Sequence, residues 1–167
     1  MTDHPTPAAQ QTTTHGSFTV ERTYPVPPSR VFEAFCDPAI KRRWSVEADN
    51  GEVLEHELDF RVGGREITRF RFGDGPEIHS DTSFEDIVPD SRIVFVFRMR
   101  IGPRLASVAI TTVELHAVDG GTELSHTEQG VYFDGLHANH VARHGTGVLL
   151  QRLGETLVEV GAQRPGE

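Results

Sequence analysis

The first apolar pattern of the chain predicts a β-strand with one buried face. Phe18, Val20 and Tyr24 alternate with polar residues, and this period of two is typical of a strand whose alternate side chains enter a core. Prolines at positions 25, 27 and 28 end the strand, because proline cannot donate a backbone hydrogen bond to a neighbouring strand.

Two short helices are predicted to follow this strand. Residues 29–35 carry apolar side chains at helical spacing, and Pro28 precedes them at a position where helices tolerate proline. Pro38 interrupts the helix, and residues 39–44 can form one further short turn that ends at Trp44.

The middle of the chain, from residue 52 to residue 129, has the pattern of consecutive antiparallel strands. Turn sequences divide it, and the last two strands are joined by Asp119-Gly120-Gly121, a favoured hairpin sequence. The apolar phase of the strand at residues 105–118 shifts between Ile110 and Val113, which predicts a β-bulge there.

A long amphipathic helix is predicted from about residue 138, where apolar residues recur with a period near 3.6. The resulting fold class is α+β, a curved antiparallel sheet of about six or seven strands wrapped around the C-terminal helix. A hollow between such a sheet and one helix is a common place for a small ligand. We expect the domain to cover residues 16–161, between disordered tails at residues 1–15 and 162–167.

Composition narrows the function classes. The 167 residues include 16 Lys and Arg against 25 Asp and Glu, and a net charge of −9 argues against unaided binding to nucleic acid or to an anionic membrane. Cys36 is the single cysteine, so no intrachain disulfide can form. Because the sequence has neither an apolar stretch of membrane-spanning length nor the pattern of a signal peptide, we expect a soluble, cytoplasmic protein without membrane insertion.

Several short motifs, taken in their order and spacing, resemble one family. The motifs are residues 18–24, residues 31–35, Asp37-Pro38 followed by Trp44, Val62-Gly63-Gly64, and Thr127-Glu128-Gln129-Gly130. Over about residues 18–160 the chain resembles Aha-type activators of heat-shock chaperone ATPase, which belong to the START-like (SRPBCC) helix-grip superfamily. It differs in one respect: many relatives have a Gly-Trp pair at the start of the last helix, whereas residues 140–147 contain no tryptophan.

The resemblance implies a cavity that binds a small hydrophobic or amphipathic molecule, without a cofactor. Relatives include lipid carriers, polyketide cyclases, antibiotic-sequestering proteins and chaperone co-factors, so the fold does not decide the function. We expect a non-enzymatic binding protein. The alternatives are a co-chaperone-like interaction protein that modulates a heat-shock chaperone ATPase in a stress response, and a polyketide cyclase-like enzyme. A second copy of the chain, forming a homodimer, is a further possible partner.

Two polar residues near the end of the last predicted strand are candidates for contact with the ligand. His126 and Glu128 share the alternation of Leu124, so all three face the cavity if Leu124 does. An imidazole and a carboxylate in an apolar pocket can orient a ligand or exchange protons with it. In the alternative interpretation, the strand end reaches solvent or Glu128 pairs with an arginine such as Arg143.

Three histidines at the start of the last helix form a second candidate group. His137, His140 and His144 have spacings of three and four, which would place them on one helix face as part of a metal site, an acid–base cluster or a solvated helix terminus. Zinc-binding helices usually carry a carboxylate within the motif. None lies among these three histidines, so we expect no metal. His140 and His144 remain candidates for the cavity lining.

The other candidates for the cavity wall are mostly aromatic. They are Phe35, Trp44, Phe70, Phe72, Phe95, Phe97 and Met99. Such a stripe is more often core than ligand surface, but in a helix-grip fold the concave face of the sheet serves both purposes. We expect Trp44 to close the mouth of the cavity and the adjacent Lys41-Arg42-Arg43 to form an exposed basic turn.

Overall fold

The computed structural model describes residues 10–47 and 51–164. The elements in these ranges are β1 (Thr13–Tyr24), α1 (Pro28–Cys36), α2 (Pro38–Ser45), β2 (Gly51–Leu58), β3 (Arg65–Phe72), β4 (Ile78–Val88), β5 (Arg92–Ile101), β6 (Arg104–Val118), β7 (Gly121–Phe133) and α3 (Asn139–Ala162). Seven strands form one antiparallel sheet in the order β1-β7-β6-β5-β4-β3-β2. The predicted α+β helix-grip architecture is therefore confirmed, with two short helices after the first strand and a long helix at the C-terminus.

The break between the two short helices has a local cause. Asp37 ends α1 by donating its backbone N–H to the carbonyl of Glu33 (2.8 Å), and Pro38 starts α2. The Asp37 carboxylate then accepts hydrogen bonds from the backbone N–H groups of Ala39 (2.9 Å) and Ile40 (3.2 Å). This N-cap satisfies two donors that have no partner within the helix, so the chain bends without leaving them unpaired.

The first strand begins earlier than its apolar pattern indicates. It starts at Thr13, within the segment 1–15 that the sequence assigns to a tail, and it pairs with β7 as far as Phe133. Polar residues suffice here because backbone pairing does not require apolar side chains. Residues 1–9 of the predicted N-terminal tail, and residues 165–167 of the C-terminal one, lie outside the described residues.

Asp134 fastens the start of β1 to the far end of β7. Its carboxylate accepts hydrogen bonds from the Thr12 backbone N–H (2.7 Å), the Gln11 amide (2.9 Å) and the Arg104 guanidinium (2.6 Å). The Thr12 N–H, followed by the Gln11 side chain, lowers the pKa of the Asp134 carboxyl to about 2. The carboxylate therefore stays ionised, and able to accept these hydrogen bonds, at acidic pH values where an ordinary aspartate is protonated.

β6 does contain a bulge, but not at the predicted position between Ile110 and Val113. It pairs with β7 without interruption from Ser107 to Val118, whereas on the β5 side Ser107 pairs with Met99 and Leu105 with Arg100, which leaves Ala106 as the extra residue. The apparent change of phase arises because Thr111, a polar residue, is fully buried while Ile110, an apolar one, is 42 % exposed. The segment around Ile110 to Val113 is therefore regular, and it carries one side chain of unexpected polarity on each face.

The helices cover one face of the sheet, which we call the inner face. α3 packs against β1 and α2, and α1 lies against β6 and β7. The Tyr24 hydroxyl donates a hydrogen bond to the carbonyl of Leu150 in α3 (2.7 Å), and this buried contact joins the edge strand to the helix. Among the described helices, none has both the length and the apolar character that crossing a bilayer requires.

The basic run beside Trp44 is not an exposed turn throughout, because Lys41 is only 8 % exposed. Its Nζ lies 3.1 Å from Oε2 of Glu66 on β3, whose Oε1 lies 3.0 Å from Nε2 of His56 on β2. Burial alone would raise the pKa of the Glu66 carboxyl, but Lys41 and His56 together lower it. The buried ion pair therefore holds α2 onto the edge of the sheet, whereas Arg42 remains partly exposed.

We predict that Lys41→Met costs about 3–5 kcal/mol of the free energy of unfolding, because Glu66 would remain buried without its cation. The double variant Lys41→Met/Glu66→Gln should return to within about 1 kcal/mol of the native protein, since the amide carries no charge and can still bond His56. Urea unfolding at neutral pH measures all three chains.

Arg42→Met on the same helix provides the control, because its pair with Glu47 is exposed and should contribute below about 1 kcal/mol. Equal losses for Lys41→Met and Arg42→Met would contradict the assigned role of the buried pair.

Candidate functional site

The inner face of β7 carries the two polar residues singled out in the sequence. Leu124 is fully buried and Glu128 is 3 % exposed, so the alternation along the strand turns His126 and Glu128 towards the inside. Glu128 lies opposite Thr111 of β6 in the register of the sheet. The alternative pairing of Glu128 with Arg143 does not occur, because Arg143 lines a groove elsewhere on the surface.

Tyr132 and Asn139 connect Glu128 to the start of α3. The Tyr132 hydroxyl donates to Oε1 of Glu128 (3.2 Å), and the Asn139 amide donates to the Tyr132 oxygen (3.3 Å). Two glycines facing each other across β1 and β7 make this possible. A Cβ on Gly130 would lie 3.0 Å from the Tyr132 ring, and one on Gly16 would lie 2.6 Å from the Asn139 nitrogen, so larger residues would displace both side chains.

Glu128 is a buried carboxylate without a strong cationic partner. Its pairing with His126 is long, with 3.9 Å between Nε2 and Oε2, and no lysine or arginine among the described residues pairs with it. Burial lowers the pKa of His137, and the Glu128 carboxylate opposes this shift. Burial also raises the pKa of the Tyr132 hydroxyl, which favours its role as a neutral donor.

Three further polar atoms near Glu128 are buried and have no hydrogen-bond partner within residues 10–47 and 51–164. They are Oγ of Ser107, Oγ1 of Thr111 and Nε2 of His126. Buried polar groups are nearly always hydrogen-bonded, so three such atoms on two adjacent strands can donate to or accept from a bound molecule. We call Ser107, Thr111, His126, Glu128 and Tyr132 the polar cluster.

An apolar surface continues from the polar cluster along the sheet. Phe95 lies opposite Thr111 in the register, and Phe97 and Met99 follow on the same face of β5. These three side chains and Phe70 of β3 are half-buried, although they face inwards. We call these four residues the apolar wall. The three β5 residues of the wall lie two strands from Glu128, at about 4.8 Å per strand, whereas Phe70 lies four strands away.

Other predicted lining residues lie elsewhere. Phe35 and Trp44 are both 4 % exposed and pack edge to face, with ring centroids 5.0 Å apart. The Trp44 indole donates to the carbonyl of Ala34 (2.9 Å), so the expectation that Trp44 closes a cavity mouth is wrong and it is a core residue. Phe72 is 47 % exposed and extends the surface beyond Phe70, with ring centroids 5.4 Å apart.

The histidines at the start of α3 are separated by the fold. His137 is partly buried near Glu128, whereas His140 and His144 are exposed and line a groove of about 850 Å³ between α3 and β1. They therefore do not join His126 and Glu128 at the inner face. Within the described parts of the chain, no group of three or more His, Cys, Asp or Glu side chains is placed to hold a metal ion.

Tyr132, Ser107 and Thr111 were not identified from the sequence. The strand was predicted to end at residue 129, but β7 continues to Phe133, and Tyr132 has the same phase as Glu128. Extending the alternation by four residues would have found it. Ser107 and Thr111 carry no such signal, because a small polar residue in a strand is usually solvated.

Comparisons with known proteins place this architecture among bacterial structures. Mll3558 from Rhizobium loti is 50 % identical, with a TM-score of 0.81 and coverage of 87 % of this chain and 99 % of that one. An uncharacterised protein from Rhizobium leguminosarum is 35 % identical, with a TM-score of 0.85 and coverage of 90 % and 99 %.

A more distant structure shows the same fold alone. DynU16, from the dynemicin biosynthetic locus, is 23 % identical, with a TM-score of 0.58 and coverage of 84 % of this chain and 46 % of that one. No curated protein sequence matches this chain. A family model does match it over residues 25–158, and the chain therefore belongs to the family described as activator of Hsp90 ATPase homolog 1-like protein.

Proposed function

We propose that this protein binds a small amphipathic molecule on the inner face of the sheet, without changing it chemically. The apolar wall would contact the body of the ligand, and the polar cluster would contact its polar end. The observation that carries the proposal is the buried Glu128 carboxylate, surrounded by polar atoms that have no partner among the described residues.

A buried carboxylate is expensive unless several donors satisfy it. Glu128 receives one hydrogen bond from a neutral hydroxyl at 3.2 Å and lies 3.9 Å from an imidazole nitrogen. Burying a carboxyl group costs free energy unless hydrogen bonds satisfy its oxygens, and these two contacts leave acceptor positions on Glu128 unfilled. A ligand with an N–H or O–H donor at one end would supply the missing interaction.

The exposure of the apolar wall supports an apolar ligand body. Phe95, Phe97 and Met99 point to the side of the sheet that carries the helices, yet remain half-buried, because α3 packs against β1 rather than over β5. Contiguous apolar surface left open beside a few buried polar groups is typical of small-molecule sites.

We predict that N-phenyl-1-naphthylamine, an apolar probe with one N–H donor, binds the protein saturably with increased fluorescence. Glu128→Gln should raise its Kd about tenfold, because a hydrogen bond to a charged acceptor is worth roughly 1.5–3 kcal/mol. Fluorescence titration of the folded variants measures the affinity.

Glu123→Gln is the matched control, since Glu123 lies on the same strand but is exposed on the opposite face. Its Kd should equal that of the native protein. Equal affinities for Glu128→Gln and Glu123→Gln would contradict the role given to the polar cluster.

Glu128→Gln should also raise the free energy of unfolding of the unliganded protein, by about 1 kcal/mol at neutral pH. An amide keeps the acceptor for Tyr132 and is less costly to bury than a carboxylate. Thermal unfolding, with Glu123→Gln beside it, measures the difference. A clear loss of stability would instead assign Glu128 a structural role.

The family description supports a second function, stimulation of a heat-shock chaperone ATPase. In that case the purified protein should increase ATP hydrolysis by an Hsp90-type chaperone, and Glu128→Gln should leave the increase unchanged because Glu128 is inaccessible to a protein partner. ATPase assays across a range of protein concentrations measure this. No acceleration would exclude that chaperone as the partner.

A further inference from the structure

A second surface, separate from the polar cluster, lies where α3 runs beside the edge of the sheet. It is formed by residues 19–22 of β1 and by a stripe of α3 that begins with His140, Arg143 and His144 and continues to Gln151. We call it the basic groove. Its volume of about 850 Å³ is within the range of functional sites.

Two arginines, Arg22 and Arg143, carry the positive charge of the basic groove, and neither is paired with a carboxylate of the described residues. Glu21 also borders the groove, but its side chain points to the opposite face of β1 from that of Arg22. The side chains of His140, Arg143 and His144 form no hydrogen bond or ion pair with any described residue, and Arg22 donates only to the backbone carbonyl of Glu21 (2.8 Å). Elsewhere arginines are commonly paired with acidic side chains, as at Arg61, Arg65, Arg69, Arg92, Arg104 and Arg164. In a chain with a net charge of −9, these two arginines remain available to an acidic partner.

The helix and the strand run side by side along the groove. Gly16 is close to Asn139, Arg22 to Gly147, and Tyr24 to Gly154, so contacts advance along both elements in the same direction. A Cβ on Gly147 would lie 3.3 Å from the Arg22 guanidinium, and the glycine therefore lets that group lie against the helix.

The wall of the groove opposite α3 is the free edge of a strand. β1 is the first strand of the sheet, and it pairs with β7 from Thr13 to Tyr24 without a register shift. Four consecutive residues, 19–22, line the groove, although successive side chains point to opposite faces, so the backbone edge itself borders it. β1 has neither a proline nor a bulge, which are common devices for blocking an edge strand.

We propose that the basic groove binds an extended acidic segment of a partner protein, which adds to the sheet as a further strand beside β1. Backbone hydrogen bonds to β1 would supply affinity, and acidic side chains would pair with Arg22 and Arg143 and accept hydrogen bonds from the imidazoles of His140 and His144. In an added strand only every second side chain faces α3. The segment should therefore carry Asp or Glu at alternate positions and neutral residues between them, facing Thr19 and Glu21.

A second copy of the chain fits the same edge less well. Pairing of β1 with β1 about a two-fold axis perpendicular to the sheet would place both α3 helices on the same side. The two stripes that contain His140, Arg143 and His144 would then face each other. Like charges opposed across an interface disfavour association, so the groove favours an acidic partner over itself.

The test uses fluorescein-labelled Glu-Val-Glu-Val-Glu-Val and the intact protein, with binding followed by fluorescence anisotropy. We expect saturable binding that weakens at high salt and is absent for Lys-Val-Lys-Val-Lys-Val. Arg143→Glu should weaken the acidic peptide at least tenfold, whereas Arg98→Glu, the same change at an exposed residue of β5, should alter it less than twofold.

Two further acidic peptides separate strand addition from simple charge attraction. One is N-methylated at its odd residues and the other at its even residues, so each lacks the backbone N–H donors along one edge of the strand. At least one of the two peptides should lose binding. Retained affinity for both peptides, or equal effects of Arg143→Glu and Arg98→Glu, would overturn the proposal. A dimer in sedimentation experiments that the acidic peptide dissociates would also overturn the proposal, because the edge of β1 would then bind a second copy of the chain.

Discussion

The width of the sheet compared with that of its covering helix is the constraint on which the rest of the structure depends. With strands about 4.8 Å apart, seven of them span about 29 Å, whereas a helix with its side chains is about 10 Å across. α3 lies along β1 at one edge, so it buries the inner face of the nearby strands and leaves that of β5 half open. The apolar wall, the polar cluster beside it and the basic groove all follow from this off-centre position.

The polar cluster indicates that the open part of the inner face is a built site and not simply apolar surface that the helix fails to cover. Gly16 and Gly130 remove side chains where Asn139 and Tyr132 need space, and the two latter residues aim a hydroxyl at Glu128. A domain stabilised by only about 5–15 kcal/mol can ill tolerate a poorly satisfied buried carboxylate. Violations of ordinary packing rules are expected at functional sites, where a bound molecule makes the contacts that the fold lacks.

Periodicity made the architecture and the facing of His126 and Glu128 predictable, because both depend on alternation within single strands. Contacts between distant segments were not predictable in the same way. Lys41 looked exposed within a basic run, and only the meeting of α2 with Glu66 explains its burial. The start of β1 was not predicted because its residues are polar. Backbone pairing with β7 and hydrogen bonds to Asp134 hold it in place, and neither produces an apolar pattern in the sequence.

The first turn of α3 belongs to both candidate surfaces. Asn139 bonds Tyr132 on the inner side, and the next residue, His140, lines the basic groove on the outer side. Tyr132 therefore stands between a ligand at Glu128 and this turn, whereas a strand beside β1 would meet His140 of the same turn directly. Two ligands influence each other only through a difference in their affinity for alternative states of a shared element. The first turn of α3 borders both surfaces, so any such difference would have to involve its position.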